Sequence, residues 1–257
     1  MNLSSLVAVP PLIDDGEGTA EADWARCPTL GAVPAVALDH LVPPGRRAVI
    51  VAPHPDDEVL AVGGLVAQLS RIGRSAMVVA VTDGTASHPR SSHWTPERLA
   101  HKRTAETERA LALLGFQGVT VRLGLPDGEL STMVEQLHHQ LTSLLSPADV
   151  VFTTWRLDGH PDHEATGRAC ASAVLQTGAR LLEVPVWGWH WAAPADRRFP
   201  WHRACRLALD DDALRRKCEA VQTFESQLAI DAATGQQPVL RRSTVERAAR
   251  SYEVMFE

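Results

Sequence analysis

The sequence predicts a three-layer α/β/α sandwich with a mostly parallel central sheet. Short valine-rich apolar runs alternate with longer segments whose apolar residues recur at helical spacing. Strands that are apolar on both sides are typical of parallel sheets covered by helices on both faces. The apolar runs predict strands over 48–52, 76–82, 119–123, 149–153 and 181–184.

The helices between these runs are marked by residues that start and end helices. Thr95 followed by Pro96 is typical of a helix N-cap and first turn, and Gly115 stands where such a helix ends. Gly73 likewise ends an amphipathic segment. These patterns predict helices over 58–72, 96–114, 131–145 and 163–177.

The chain divides into an N-terminal arm, residues 1–45, and a main domain, residues 46–257. The arm is rich in proline, glycine and acidic residues and shows no sustained periodicity. We expect it to pack over the main domain, where it narrows a pocket or forms a contact between subunits of a homo-oligomer.

Composition excludes several classes of function. A net charge of -6 argues against nucleic-acid binding, which requires a basic surface. No apolar run approaches the ~20 residues of a transmembrane helix, and the N-terminus lacks the basic and apolar regions of a signal peptide. The cysteines form no CxxC pair, which favours reduced thiols and a cytoplasmic location; they are Cys27, Cys170, Cys205 and Cys218.

Two short polar segments stand directly after predicted strands. The first is HPDDE at 54–58, after the strand over 48–52, and the second is GHPDHE at 159–164, shortly after the strand over 149–153. Ligands bind outside the carboxyl ends of the strands in sheets of this kind, so we expect the two segments to meet. They bring together His54, Asp56, Asp57, His160, Asp162 and His163.

These side chains are suited to metal-assisted hydrolysis. Two imidazoles and one carboxylate are a common ligand set for catalytic zinc, which lowers the pKa of water to about 7. The spare carboxylates supply a general base. A single HPDDE segment is equally typical of acidic residues that stabilise a helix N-terminus, but two such segments after two strands favour a metal site.

At these residues the sequence resembles the LmbE-like, or PIG-L, family of zinc-dependent de-N-acetylases. PHPDDE at 53–58 and HPDH at 160–163 match the two motifs of that family. TDG at 82–84, the spacing R-x-x-E-x-x-x-A-x-x-x-L-G from Arg103, and LGLPDG at 123–128 match in the same order. The resemblance implies a Rossmann-like fold and removal of acetyl from an N-acetylglucosamine conjugate, a small-molecule substrate.

The resemblance also implies a role for each polar residue. His54, Asp57 and His163 would bind Zn2+, and Asp56 would be the general base. His160, in its protonated form, would stabilise the oxyanion of the tetrahedral intermediate, and Asp162 would orient a neighbouring histidine.

Three further residues are candidate substrate contacts, each with a structural alternative. Arg103 would face the site and hold a substrate hydroxyl or phosphate, or it would form a surface pair with Glu106. Asp127 and Asp83 would contact the sugar, or each would only form a turn next to its glycine.

The chain departs from the family pattern in two places. The segment 184–202 holds four of the seven tryptophans, Trp187, Trp189, Trp191 and Trp201. Their rings would stack on sugars or pack in the core, and we expect at least two to pack. Phe224 stands where family members often carry a histidine, two residues before the SQ pair.

Two other functions compete with deacetylation. Histidines and carboxylates also hold the two metal ions of phosphohydrolases. A sugar- or metal-binding module without catalysis would need ligands but no free base, and the presence of Asp56 argues against it. The glycines after the first predicted strand do not form the GxGxxG motif of nicotinamide binding.

Overall fold

The computed structural model describes residue 13 and residues 16–257. Residues 1–12, 14 and 15 of the predicted arm lie outside the described residues. Eight strands form one sheet: β1 (Ala35–Val36), β2 (Arg47–Ala52), β3 (Ala76–Thr82), β4 (Val119–Leu125), β5 (Asp149–Thr154), β6 (Arg180–Val184), β7 (Ala204–Ala208) and β8 (Tyr252–Phe256).

Eleven α-helices accompany the sheet in the described part of the chain. They are α1 (Glu21–Ala25), α2 (Pro28–Gly31), α3 (Leu38–Leu41), α4 (Asp57–Arg71), α5 (Pro96–Leu113), α6 (Val134–Leu144), α7 (Pro161–Thr177), α8 (Gly188–Trp191), α9 (Asp211–Val221), α10 (Glu225–Leu228) and α11 (Arg242–Ala248). None of these helices is both long and apolar enough to cross a membrane.

The sheet confirms the predicted α/β class. The strand order is β1-β7-β8-β6-β5-β2-β3-β4. All neighbouring strands are parallel except that β8 runs antiparallel to both β6 and β7. The five predicted strands are β2 to β6, and the four predicted helices are α4 to α7, with small differences at their ends.

Alternate residues of β2 face the two layers of helices. Ala48 and Ile50 belong to a core cluster that contains residues of α4, α5 and α9. Val49 and Val51 belong to a second cluster with residues of α6 and α7. Because successive strand residues point to opposite faces, a strand that is apolar throughout requires both layers.

The arm contributes to the sheet and to an aromatic core. Strand β1 pairs with β7. Trp24 of α1 is fully buried, and its ring lies 4.9 Å from that of Trp189 in an edge-to-face contact. Trp189 itself is 6 % exposed, and the cluster continues through Phe199 and Trp201. Trp189 and Trp201 therefore pack in this aromatic core, as expected for at least two of the four tryptophans.

Helix α4, which follows the first polar segment, is held by a buried carboxylate of β8. It has a non-helical residue at Val62 (φ -138°). After this kink, the amides of Gly64 and Leu65 donate to the carboxylate of Glu253, at 2.7 and 2.9 Å. Lys217 neutralises that buried carboxylate at 2.7 Å. The Glu253 carboxylate thereby accepts hydrogen bonds from two amides just after the kink.

Candidate active site

The two polar segments meet because their strands are neighbours. Strands β2 and β5 are parallel and adjacent, with Val51 opposite Thr153. The first segment leaves β2 and enters α4, and the second follows β5 and enters α7. Both segments therefore lie at the same edge of the sheet, as predicted for ligand sites in parallel sheets.

Three donor atoms from the two segments form a nearly equilateral triangle. His54 Nδ1 lies 3.3 Å from His163 Nε2 and 3.3 Å from Asp57 Oδ2. His163 Nε2 lies 3.2 Å from the same oxygen of Asp57. Two imidazole nitrogens and a carboxylate oxygen at this spacing can hold a metal ion. We call these three residues the ligand triangle.

Electrostatics in the triangle favour an ionised Asp57. Burial opposes the charge of this carboxylate, but His163 and His54 outweigh burial and hold its pKa well below the usual range. Burial likewise opposes a charged His163, yet Asp57 and Asp158 raise the pKa of this histidine to about 9. The negative charge of Asp57 is thus stabilised by positive charge on the neighbouring histidines.

The outer nitrogen of each histidine is held by carboxylates. His54 Nε2 lies 3.1 Å from Asp127 Oδ1 and 3.2 Å from Asp162 Oδ2. His163 Nδ1 lies 2.8 Å from Asp158 Oδ2. Carboxylates in these positions fix the tautomer and the ring orientation of a metal-binding histidine.

Asp158 is a further residue of the candidate site, and no sequence motif includes it. Its side chain is fully buried. Besides His163, it accepts hydrogen bonds from the amides of Val186, Trp187 and Gly188, at 2.9, 2.9 and 2.8 Å. Its position directly before GHPDHE is the feature of the sequence that could have indicated it. Its amide partners, however, belong to a segment nearly thirty residues away.

Asp56 is adjacent to Asp57 but lies outside the ligand triangle. It caps α4 with φ 122°, a conformation that non-glycine residues rarely adopt. Its Oδ2 accepts a hydrogen bond from Arg103 Nη2 at 3.0 Å. Burial raises the pKa of Asp56 to about 7, although the charge of Arg103 opposes the rise.

Arg103 lies in the site and not in a surface pair with Glu106. Its side chain is buried, and it also donates to the carbonyls of Gly84 and Pro55, at 2.9 and 2.6 Å. A Cβ on Gly84, which has φ +64°, would lie 2.0 Å from Arg103 Nη1. The glycine of the TDG segment is therefore required for the close approach of this guanidinium.

His160 and Asp162 occupy the first turn of α7. His160 is the N-cap, and its Nδ1 accepts from the amide of Asp162 at 3.2 Å. Burial and the neighbouring histidines lower the pKa of His160 to about 3. The lowered pKa disfavours a protonated His160 in this structure, since desolvation and positive neighbours both oppose the charged ring.

Asp162 contacts a histidine, as the resemblance implies, and that histidine is His54. Its carboxylate accepts from the amides of Gly128 and Leu130, at 2.7 and 3.1 Å, and contacts His54. The carboxylate orients a histidine, but that histidine belongs to the other segment. Asp162 thereby connects the LPDG turn to the ligand triangle.

A cavity of about 280 Å³ opens over the triangle. Asp127 lines it, while Asp83 does not: Asp83 forms an ion pair with Arg122 at 2.6 Å. Much of the cavity lining is not predicted from the sequence, because these residues belong to loops that carry no motif. The cavity is lined by His54, Asp56, Asp57, Leu60, Ala86, Ser87, Arg103, Asp127, Gly128, His160, His163, Val186, Trp187, Gln227, Val239, Leu240 and Thr244.

The SQ pair, Ser226 and Gln227, reaches this cavity through Gln227. The amide Nε2 of Gln227 donates to Ser226 Oγ at 2.9 Å, and Ser226 Oγ donates to Glu106 at 2.6 Å. Gln227 Oε1 is buried and finds no hydrogen-bond partner among the described residues. Phe224, the departure from the family pattern, is fully buried in the core.

Residues 49–174 match the sequence model of the PIG-L family, described as GlcNAc-PI de-N-acetylase. The chain carries a PIG-L domain. The match spans both polar segments, and it confirms the resemblance seen in the sequence.

Two curated relatives of this chain are deacetylases by name. The 1D-myo-inositol 2-acetamido-2-deoxy-α-D-glucopyranoside deacetylase of Corynebacterium diphtheriae is 27% identical over 238 residues, which cover 74% of this chain and 79% of that protein. The probable N-acetyl-α-D-glucosaminyl L-malate deacetylase 2 of Bacillus anthracis is 30% identical over 139 residues, which cover 50% of this chain and 59% of that protein.

A solved structure resembles the fold of this chain. The antimicrobial reagent A40926 pseudoaglycone deacetylase aligns with a TM-score of 0.62 and 21% identity, over 82% of this chain and 96% of that one. At this identity the likeness shows the fold and not the activity.

Proposed function

We propose that this PIG-L protein hydrolyses the acetamide of an N-acetylated amino sugar of the GlcNAc type, with zinc held by His54, Asp57 and His163. The observation that carries the proposal is the ligand triangle, whose edges are 3.2–3.3 Å. A tetrahedral zinc with bonds of about 2.0–2.1 Å separates its ligand atoms by roughly 3.3 Å. The residues therefore fit zinc without rearrangement.

Bound zinc would act as a Lewis acid on the acetamide carbonyl and would lower the pKa of water to about 7. Asp56 takes the proton of the attacking water. It lines the cavity, lies outside the ligand triangle, and is held by Arg103 at 3.0 Å. Arg103 is therefore a positioning residue for the base, and its contact with Asp56 is explained without a direct contact with substrate.

His160 stabilises the developing negative charge as a neutral donor. Because Nδ1 accepts the amide hydrogen of Asp162, the ring proton of a neutral His160 is on Nε2. The ring centroid of His160 lies 4.9 Å from those of both His54 and His163. An N–H donor beside the ligand triangle supports a role for His160 in stabilising the oxyanion.

The two competing functions have less support. A second ion at Asp127 and Asp162 would use His54 Nε2. A neutral imidazole that binds zinc through Nδ1 keeps its proton on Nε2 and cannot hold that second ion. The named relatives are deacetylases. A phosphohydrolase with two metal ions and a binding module without catalysis are therefore not favoured. The cytoplasmic location and the homo-oligomer stay predictions.

The test is Asp56→Asn in zinc-loaded protein. We expect zinc content to stay near one ion per chain while acetate release from N-acetylglucosamine conjugates falls about 10²–10⁴-fold, the usual contribution of a general base. Asp39→Asn, at an exposed carboxylate paired with Arg74, is the matched control. Unchanged acetate release from the Asp56 variant would remove this residue from its role.

A further inference from the structure

Part of the cavity lining is apolar and lies outside the family motifs. Val186 and Trp187 follow β6, Val239 and Leu240 precede α11, and Leu60 comes from α4. We call these five residues the apolar lining. Trp187 is half-buried, so part of its ring faces the cavity.

Trp187 is fixed next to the ligand triangle. Its ring is nearly parallel to that of His160, at 23° with centroids 6.3 Å apart. Asp158 Oδ2 accepts both from the amide of Trp187, at 2.9 Å, and from His163 Nδ1, at 2.8 Å. One carboxylate oxygen therefore holds both a triangle histidine and the backbone that carries the aromatic ring.

The charges of the cavity disfavour an anionic group. Arg103 is the only arginine or lysine among the described residues that line it. Its guanidinium is already paired with Asp56 and bonded to two carbonyls. Asp127 adds a carboxylate to the lining. A carboxylate or phosphate on the substrate would therefore meet no free cationic side chain there.

We infer that the group attached to the amino sugar is a neutral, apolar ring that stacks on Trp187, and not an anionic acid such as malate. This inference rests on the proposed deacetylase function. An aromatic face gains both from burial of an apolar ring and from stacking geometry. The apolar lining excludes water from the same group, which strengthens the preference.

The first test compares two substrates of zinc-loaded protein by acetate release. They are the phenyl α-glycoside and the L-malate α-glycoside of N-acetylglucosamine. We expect kcat/KM to be at least about 10-fold higher for the phenyl compound, the effect of one good aromatic contact and an unpaired anion. Equal or higher activity on the malate compound would overturn this inference and leave the deacetylase proposal intact. No acetate from either compound would overturn the proposed function, and this inference with it.

Variants then locate the ring. Trp187→Ala should lower the phenyl-to-malate ratio of kcat/KM by about 10-fold, and Trp187→Phe should restore most of it. Trp94→Ala is the control, because Trp94 is half-buried but outside the cavity lining. An unchanged ratio in Trp187→Ala would contradict the assignment.

A gain of activity tests the charge argument separately. Val239→Lys places a free cation in the apolar lining and should raise kcat/KM for the malate compound several-fold, while Val239→Met, similar in length and neutral, should not. If Val239→Lys were no more active on the malate compound than Val239→Met, the absence of a cation would not be the reason for low activity on malate.

Discussion

The two polar segments share the tripeptide His-Pro-Asp but use it differently. Counted from the histidine of this tripeptide, the fourth residue in each segment, Asp57 or His163, belongs to the ligand triangle. The first residue does so in one segment only: His54 contributes Nδ1 to the triangle, whereas His160 uses Nδ1 to accept the amide of Asp162.

The backbone accounts for the difference. In the first segment the chain turns through Asp56 at φ 122° before α4 begins, which frees its carboxylate to meet Arg103. In the second segment Pro161 opens α7 in the regular way, with His160 as an extended N-cap. The third-position carboxylate there turns to the amides of Gly128 and Leu130. The same three residue types thus serve different purposes because the helices begin differently.

The strongest test of this comparison replaces the first histidine of each segment. We expect His54→Ala to lose zinc, with an affinity more than about 100-fold weaker, since the loss of a ligand exceeds the loss of its hydrogen-bond partner. We expect His160→Ala to keep zinc while acetate release falls about 10²–10³-fold, as for the loss of an oxyanion donor. Zinc content and acetate release are measured on the same samples.

The two histidines serve as controls for each other. His160 also lies close enough to share an ion with His54 and His163, because one nitrogen of each lies within 4.8 Å of the others. Equal zinc loss in both variants would therefore place His160 in the ligand set and erase the difference between the segments.

A smaller effect is expected from the carboxylate behind the second segment. Asp158→Asn replaces the charged acceptor of His163 Nδ1 and keeps the size of the side chain. Zinc affinity should fall about 10–100-fold, because such partners raise the basicity of the ligand. Titration with a competing chelator measures it.

Asp196→Asn gives the matched control for that measurement. Asp196 is paired with Arg198 in the tryptophan-rich segment, outside the cavity lining. If Asp158→Asn bound zinc as tightly as this control, the charged hydrogen bond to His163 would not contribute to zinc affinity.

The smallest effect concerns the opposite ends of the two strands that carry the segments. Arg47 of β2 donates to both carboxylate oxygens of Asp149 on β5, at 2.9 and 2.7 Å. Burial opposes the charge of Asp149, but Arg47 and the amide of Ser146 outweigh it and lower its pKa. Since the folded pKa is below the unfolded one, the pair stabilises the protein above the unfolded pKa and is lost as the pH falls through the folded pKa.

Asp149→Asn should lower the free energy of unfolding at pH 7 by about 1–3 kcal/mol, the range for hydrogen bonds to charged groups. The difference from the natural protein should shrink as the pH falls below about 4. Urea unfolding at several pH values measures both, with Asp39→Asn as the exposed control. A difference that persists undiminished in acid would assign the stabilisation to packing and not to the charge.

Much of the fold was readable from local patterns, and the part that was not depends on distant pairing. Strand β3 was predicted with its exact ends, because its apolar run is bounded on both sides. Strands β7 and β8 were not predicted. Strand β8 enters the sheet antiparallel between β6 and β7, and this position depends on partners far away in the chain.

The sequence by itself determined which polar side chains meet, because motif spacing and strand ends bring two histidine–aspartate segments to one edge of a parallel sheet. Only the tertiary structure decided which nitrogen of each histidine faces its neighbours, that Asp162 supports His54, and that Asp158 connects His163 to Trp187. The physical reason is that spacing fixes where a residue lies along the backbone. Helix entry angles and amides from distant loops fix where its polar atoms point.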